Sequence, residues 1–495
     1  PAAQALASRL GVALDSYGFC QTPAPAATSR PGIFVAGPFA GPKDIPETVI
    51  EASAAAAQVS ALLADARGSQ ITSVEYPRER DVSDEQPRVG VFVCHCGINI
   101  GGVVNVPETV DYARTLPDVV YAEHNLYTCS QDTQEKIRAT IEEHGLNRVV
   151  VASCTPRTHE PLFQDTLRAA GLNAHLFEMT NIREQDSWVH KAWPDRATDK
   201  AKELVAMAVA KARLRKPLRQ GRFAIEQRAL VIGGGLAGMT AALSIADQGY
   251  EVHLVERTDE LGGHLHHIYA SLNGIDPQAL LRSRVERVQQ HQRITVHMKA
   301  QVVQVTGRVG EYRCIVKTSD VSEIVVGCGA IIVATGAQAA TPALYGYGTD
   351  PRIITQRELE RMLCRDGFEA CPYSNVVMIQ CVGSRDEQHP YCSRVCCQQA
   401  IKSALRIKTL HPAAQITVLY RDIRTYGLLE EAYQQARTLG VVFLPYEPDE
   451  MPRLSRNGET LRLDVASSLP NDTLVLTPDL LVLSTGIVPN DNGPL

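Results

Sequence analysis

The sequence predicts an α/β fold in which parallel sheets are wound with helices, and three stretches carry that expectation. Residues 229–256 read as an apolar strand, the turn Gly233-Gly-Gly235-Leu236-Ala237-Gly238, a helix to 246 and a second strand ending at Glu256. Residues 375–420 repeat the layout, with a strand at 375–379, helical spacing over 398–407 and a strand at 415–420, but cysteines stand where glycines would. Residues 89–152 show it again, with strands at 89–93 and 148–152 around a helix at 133–144. Strands alternating with helical periodicity point to parallel sheets, because parallel strands need a crossover between them.

At 495 residues the chain is long enough for about three domains. A formal charge of −6 offers no basic footprint, so no nucleic-acid partner is expected, and 5% aromatic residues argues against stacking platforms for bases or sugars. No apolar run is long enough to predict a membrane span. The chain has 13 cysteines, and its start lacks the charged-then-apolar order of a secretory leader. That combination points to metal, redox or cluster chemistry in a reducing, cytoplasmic setting rather than to structural disulfides. The first residue is Pro1, which reads as something other than a native start.

Residues 1–66 open with helical spacing over 2–10. A strand is then expected at 33–36, followed by a Gly turn and an Ala-rich helix to about 66. The turn and helix start hold Gly37, Gly41, Pro42, Lys43 and Asp44, a layout suited to the polar edge of a flavin, where a helix N-terminus favours negative charge. Residues 67–86 are charged and aperiodic and read as a linker, and 87–200 form the next unit. Residues 201–218 read as an amphipathic connecting helix ended by Pro217, within a connector at 201–227. A dinucleotide domain at 228–345 and a second, smaller α/β unit at 346–478 follow. Residues 479–495 then return the chain to the dinucleotide domain.

The motif at 233–238 is G-x-G-x-x-G, with an acid 18 residues past the last glycine. Gly233 allows the tight turn, Gly235 lets backbone approach a pyrophosphate, and Gly238 allows helix–strand contact. Glu256 is expected to accept hydrogen bonds from a ribose. Leu261-Gly-Gly263-His264 and the strand ending Ala334-Thr335-Gly336 choose FAD over NAD. Arg257 and Val302 complete the expected cofactor-binding set. His264 is read as lining the flavin pocket, and His266 and His267 as polar surface.

Cys381, Cys392, Cys396 and Cys397 fall within 17 residues at a strand-to-helix turn. Four thiolates are the number an iron–sulfur cluster needs; the bland alternatives are buried apolar cysteines or a vicinal disulfide at Cys396–Cys397. Cys94, Cys96, Cys129 and Cys154 all stand at strand ends or helix starts, the crevice side of an α/β sheet, where they would form a second four-cysteine site. Zinc, which accepts four thiolates as readily, and no metal at all remain open there.

The Cys-x10-Cys-x3-Cys-Cys run, the Cys94-x-Cys96-Gly97 stretch and Gly41-Pro-Lys-Asp-Ile-Pro46 together resemble the A-type component of heterodisulfide reductase and its relatives, over nearly the whole chain. The resemblance implies a thioredoxin-reductase-like FAD domain with an inserted Rossmann-like domain that carries a [4Fe–4S] cluster, plus an N-terminal α/β cluster domain. It implies cluster roles for both cysteine sets and places Lys402 within reach of the flavin N5, although a solvated helix lysine is the plain reading. The activity implied is electron transfer between two-electron and one-electron carriers, including bifurcation or confurcation. The partners implied are heterodisulfide reductase B/C-like subunits, hydrogenase or formate/NADH dehydrogenase-like modules, ferredoxin and a second copy of the A-type component. Two departures stand out. The family's ferredoxin-type cysteine segment is absent, and the flavin-edge segment stands at the start of the chain instead of after Asn490. The order fits either an excerpt from two tandem units or a circular permutation. The rival activities are an NAD(P)H-dependent FAD disulfide reductase and a non-catalytic relay.

Overall fold

A computed structural model describes residues 2–219, 221–320, 322–364, 373–466 and 473–492. Cys371 and the end of the expected return segment lie outside the described residues. The chain divides into two compact units, residues 70–223 and residues 1–69 with 224–495.

In the 70–223 unit, β1 (Val89–Cys94), β2 (Val119–Asn125), β3 (Arg148–Ser153) and β4 (Phe177–Asn181) form a parallel sheet in the order β2-β1-β3-β4. β1 and β3 are buried along their whole length, as near-continuous apolar runs in a sheet covered on both faces should be. Alternate residues serve opposite faces. Val89, Val91 and Val93 meet helices α4 (Val106–Ala113) and α7 (Pro194–Leu214), while Phe92, Val149 and Val151 meet α5 (Gln131–Glu143) and α6 (Pro156–Ala169). The short helix α3 (Ile98–Gly101) follows β1.

The stretch expected to connect domains is therefore a core helix. It starts at Pro194, and Ala197, Ala201, Val205, Ala208 and Ala212, spaced close to one helical turn apart, are buried against the sheet. The expected linker is also partly built in: Val82 is fully buried beside Phe92, and Arg80 N–H donates to the Gly171 carbonyl at 2.8 Å.

The other unit holds two parallel sheets. The first has the order β11-β5-β6-β7, from β5 (Arg228–Ile232), β6 (Glu251–Val255), β7 (Ile294–His297) and β11 (Ala330–Val333), with α8 (Leu236–Asp247) and α9 (Pro277–Gln290). The antiparallel strands β8 (Ala300–Arg308), β9 (Glu311–Thr318) and β10 (Glu323–Cys328) share a core with it. The second sheet has the order β13-β20-β14-β15-β16, from β13 (Ile353–Thr355), β14 (Asn375–Val382), β15 (Gln415–Tyr420), β16 (Val442–Pro445) and β20 (Leu480–Thr485). It carries α10 (Gln356–Cys364), α11 (Cys396–Leu410) and α12 (Glu430–Thr438), plus the meander β17 (Arg453–Asn457), β18 (Thr460–Ala466) and β19 (Thr473–Leu476). β12 (Ala337–Ala339) pairs antiparallel with β21 (Ile487–Pro489).

Two expectations change here. Residues 480–485 do not return the chain to the dinucleotide domain; Leu480, Leu481, Val482 and Leu483 are all fully buried between β13 and β14, inside the second sheet. The return starts one step later, at β21. Residues 33–36 form no strand; Phe34 makes only an isolated bridge to Ala27. After α1 (Ala2–Leu10), this segment leads to α2 (Ile45–Leu62), which packs on α8. Beyond α2, Arg67 donates to the Gln248 carbonyl at 2.8 Å and lies over the Tyr250 ring.

Candidate functional site

The glycine turn after β5 has the geometry a dinucleotide needs. Gly233 has φ +110°, and a Cβ there would lie 2.3 Å from the Ala334 carbonyl oxygen. A Cβ on Gly238 would lie 1.8 Å from the Gly233 oxygen, so helix and strand approach as closely as only glycine permits. A Cβ on Gly235 would meet nothing within 4 Å, which leaves open space beside the start of α8, where Leu236 and Ala237 form the first turn. Gly262 bridges to Gly235, which brings Gly263 and His264 alongside. A cavity of about 130 Å³ is lined by Gly233, Glu256, Arg257, Val302 and Thr335. Glu256 is 9% exposed and already accepts from Gly234 N at 2.7 Å and from Thr258 N and Oγ1 at 2.8 Å each, so it holds the glycine turn as well as facing the cavity. Asn490 Nδ2 donates to Thr335 O at 2.6 Å, beside Gly336. These features fit the adenosine and pyrophosphate of FAD.

A second cavity, about 590 Å³, has mixed walls. His264, His267 and Ala339 contribute from the dinucleotide domain, and Val395, Gln398, Gln399 and Lys402 from the first turns of the cysteine-bearing helix α11. His267, read as polar surface, thus lines the cavity instead. Lys402 is no solvated helix lysine. Its side chain is 14% exposed, its Nζ lies 2.5 Å from Oε2 of Glu360 (4% exposed), and it donates to the Ala270 carbonyl at 3.1 Å. Oε1 of Glu360 accepts from Tyr269 N and Ala270 N. Arg357 lines the same cavity, with its Nε buried and unpartnered.

The segment expected at a flavin edge meets residues of the second sheet's loops. Arg394 lies 3.3 Å from Glu47 in the first turn of α2, and Gly427 packs near the Pro42 carbonyl. Gly37 (φ +79°) and Gly41 (φ +134°) shape the turn. Two residues expected to face a cofactor have partners within the segment. Lys43 Nζ lies 2.5 Å from Glu51 Oε1, and Asp44 caps α2 by accepting from Glu47 N at 2.8 Å.

Cys381 lies near the end of β14 with φ +60°, Cys396 and Cys397 open α11, and Cys392 lies in the loop between. Burial pushes the Cys396 thiol up to about 12, with Cys381, Cys397 and Cys392 adding to the shift, so the four sulfurs lie within one another's electrostatic reach. Arg394 N–H donates to Cys392 Sγ at 3.4 Å. Arginines surround the set: Arg385 and Arg424 pair with Asp422, and Arg421 donates to the Arg385 carbonyl. Gln380 Oε1, Arg421 Nε and Thr425 Oγ1 are buried beside it without a partner.

In the other unit Cys94 (4% exposed) and Cys154 (6%) end β1 and follow β3, while Cys96 and Cys129 are half-buried. Cys94 Sγ accepts from Cys96 N at 3.2 Å and Thr128 N at 3.3 Å. Burial raises the Cys129 thiol, with Cys94 and Cys96 adding to it; burial likewise raises Cys154, where Cys96 contributes. The four are thus electrostatic neighbours drawn from three separate strands. Thr128 Oγ1 and Ser153 Oγ, each next in sequence to a cysteine, are buried and unpartnered. Arg183 Nη1 donates to Cys96 Sγ at 3.3 Å.

All the described cysteines are free thiols. Among the described residues no three His, Cys, Asp or Glu side chains are gathered tightly enough to grip one bare metal ion. A [4Fe–4S] group fits the donor chemistry of each set, since four thiolates satisfy it and the orphaned Thr128, Ser153 and Thr425 hydroxyls and the Arg183 and Arg421 Nε–H groups nearby would find a sulfur acceptor.

Arg183, Glu360 and Arg357 escape a motif-based reading. Arg183 stands just past the end of β4, so the rule that α/β sites gather at strand carboxyl ends is the available signal.

Residues 227–363 match the pyridine nucleotide-disulphide oxidoreductase family. The chain is 35% identical over 507 residues to the A-type component of the H(2):CoB-CoM heterodisulfide,ferredoxin reductase of Methanothermobacter thermautotrophicus, covering 84% of this chain and 77% of that protein. It is 36% identical to an A-type iron-sulfur component of the CoB--CoM heterodisulfide reductase of Methanopyrus kandleri, covering 83% and 77%. The aligned span of 507 exceeds the 495 residues of this chain, so the first relative carries inserted positions that this chain lacks. Thioredoxin reductase of T. acidophilum is a remote structural likeness, with TM-score 0.36 and 13% identity over 54% of this chain and 79% of that one. No helix among the described residues is long and apolar enough to cross a membrane. By its identity and coverage against these relatives, the chain belongs to the HdrA family, the A-type components of heterodisulfide reductase, which are oxidoreductases.

Proposed function

We propose that the chain is a cytoplasmic electron-transfer component that binds one FAD and two [4Fe–4S] clusters and exchanges electron pairs on one side for single electrons on the other. The observation that carries this reading is the 590 Å³ cavity whose walls come from the dinucleotide domain and from the helix that begins with Cys396 and Cys397. A flavin supplies two-electron and one-electron exchange, and clusters supply one-electron exchange.

The chain's own residues divide the remaining work. Gly233, Gly235 and Gly238 bring backbone to the pyrophosphate, with Glu256 holding the turn. Glu360 fixes Lys402 at the cavity wall, so an ammonium is presented to any ring lying there. Cys381, Cys392, Cys396 and Cys397 would hold one cluster beside that wall. Cys94, Cys96, Cys129 and Cys154 would hold the second. In this reading residues 228–345 and 346–478 are FAD and inserted Rossmann-like domains, and 87–200 is a cluster domain. The relatives' names support partner proteins that handle a CoB-CoM heterodisulfide and ferredoxin, and one relative is named as F(420)H(2)-dependent. Division of electron pairs between a high- and a low-potential path, and pairing with a second copy of the chain, belong to the same proposal.

The test is the iron, acid-labile sulfide and flavin content of anaerobically purified protein, with EPR after dithionite reduction. About eight iron and eight sulfide with one FAD supports two four-cysteine clusters. About four iron with zinc would make the Cys94 site structural. Tight flavin without iron would turn the reading to an ordinary disulfide reductase.

A further inference from the structure

We propose that Arg183 sets the reduction potential of the iron–sulfur group at Cys94, Cys96, Cys129 and Cys154, raising it through the hydrogen bond its Nη1 donates to Cys96 Sγ. This rests on the cluster reading of that site. The contact is 3.3 Å long, and it is the one cation-to-sulfur hydrogen bond described in this unit. The charge also reaches further, since Arg183 acts on Cys129 and Cys154 electrostatically.

The guanidinium is fixed rather than wandering. It starts a single π-helical turn, Arg183–Ser187, a rare conformation that recurs at functional sites. Asn181, at the end of β4, anchors the turn by accepting from Arg183 N and Glu184 N at 3.1 and 2.9 Å. Ser187 Oγ donates to the Asn99 carbonyl at 2.7 Å, which ties the turn to the loop that carries Cys96. Arg183 Nη2 meets Glu184 Oε1 at 2.6 Å, and the plane lies over the Trp188 ring. A structural arginine would need no sulfur. Here Nε is buried without a partner while Nη1 is spent on a thiol, so the side chain is placed for the sulfur and not for its own satisfaction.

Reduction adds one electron, supplied in the assay by dithionite through a mediator, and makes the site more negative by one charge. The guanidinium stays protonated and no bond changes. A donor and cation held against a ligating sulfur favour the reduced form, so the potential rises. Glu184 opposes this, since its charge also reaches Cys154. Arg183 acts on Cys154 more strongly than Glu184 does and alone of the two donates to Cys96 Sγ, so it outweighs it.

The experiment is an EPR-monitored redox titration of the full chain, following the signal that Cys94→Ser abolishes. Arg183→Gln is expected to lower the ratio of reduced to oxidised protein at a set potential about tenfold, a midpoint shift of about 59 mV for one electron. Arg183→Lys should fall between Gln and wild type, and Glu184→Gln, which leaves the guanidinium in place, should move the midpoint upward. The signal lost in Cys396→Ser should stay where it is. Opposite signs for Arg183→Gln and Glu184→Gln establish tuning by charge, because mere loosening of the fold would move both the same way. An unmoved midpoint in Arg183→Gln with iron content kept, or shifts of one sign in both variants, overturns the proposal alone. If Arg183→Gln loses its iron, the Glu184→Gln titration decides. Wild-type protein lacking a signal that depends on Cys94 overturns the proposal together with the cluster reading beneath it.

Discussion

The two cysteine sets each offer four thiols but are built in opposite ways. At Cys381–Cys397 the thiols come from one continuous stretch between β14 and α11, and charge is spread over Arg385, Arg394, Arg421 and Arg424 with Asp422 among them. At Cys94–Cys154 the thiols come from the ends of separate strands, and Arg183 is the cation described as donating to one of them. Both loops hold non-glycine residues at positive φ: Cys381, Arg385 and Arg394 in one, Cys96 in the other. Such conformations cost about 1–2 kcal/mol each and persist where the surroundings over-determine them. A local loop can therefore concentrate ligands and strain in one segment, whereas a dispersed site relies on the sheet to bring its parts together.

The largest expected effect separates the two sites outright. Cys396→Ser should remove about four of about eight irons, and Cys94→Ser the other four, each with flavin retained. Because the Cys94 site also joins three strands, its loss should lower the stability of the 70–223 unit more than the loss of Cys396 affects its own unit. Iron analysis with chemical denaturation checks both halves. Loss of all iron from either single change would end the picture of two independent sites.

Next comes the wall of the 590 Å³ cavity to which the Cys396-bearing helix contributes Lys402. Lys402→Met would leave Glu360, 4% exposed, as a buried charge without its cation, a loss of about 3–5 kcal/mol. Adding Glu360→Gln should restore much of that stability, since both charges are then gone, while flavin reduction by a two-electron donor stays slow. Recovery of both stability and rate in the double variant would show that Lys402 matters only as Glu360's counter-ion.

How much of this is legible in the sequence follows the same contrast. The glycine turn, Glu256 and the Cys381 run sit within short spacings, so their grouping can be read directly from the chain. The Cys94 set can be gathered only by the rule that strand ends converge, and its irregular spacing leaves zinc open. Arg183 has only its place past the end of β4 to mark it, and Glu360 has no signature, since a π-turn and an ion pair between two helices leave no periodicity. Sequence alone puts residues 480–485 in the wrong sheet because Leu480–Thr485 and Ala330–Thr335 are the same kind of pattern, an apolar strand ending in Thr-Gly. Only pairing with β13 and β14 tells them apart. The helix at Pro194–Leu214 looks like a connector because its buried face is mostly alanine, which gives a weak apolar stripe yet packs closely on the sheet.

A smaller effect tests the charge economy of the Cys94 unit. Asp186, in the same π-turn as Arg183, is fully buried, and both carboxylate oxygens lack a partner. Burial pushes its pKa up to about 6 from the ordinary 3.8, with Lys200 pulling weakly the other way. The folded state therefore holds its proton to higher pH than the unfolded state does. Its contribution is fully present below about 3.8 and is lost as pH rises through about 6, a change of about 3 kcal/mol. Asp186→Asn removes that titration, so its stability between pH 4 and 7 should fall less steeply than wild type by about that amount. Parallel pH profiles for the two proteins would show that Asp186 has a partner in solution.

The smallest effect is expected at Arg394, and it sharpens the comparison from the opposite direction. Arg394 reaches Glu47 at 3.3 Å, but the two side chains are 57% and 39% exposed, so the pair contributes at most about 1 kcal/mol and less at high salt. What the Cys381 loop uses is the Arg394 backbone N–H, which donates to Cys392 Sγ and survives any substitution but proline. Its φ of +64° suits glycine better than arginine, so Arg394→Gly should hold its iron and unfold within about 1 kcal/mol of wild type. Arg394→Val keeps the same N–H but forces a β-branched side chain into that conformation, and should cost more. With Arg385, Arg421 and Arg424 still in place, the midpoint of the Cys381-dependent EPR signal should shift far less in Arg394→Gly than the Cys94-dependent one does in Arg183→Gln. Equal shifts would mean that positive charge is no more dispersed at one site than at the other, and the contrast between a ring of arginines and a single arginine would fall.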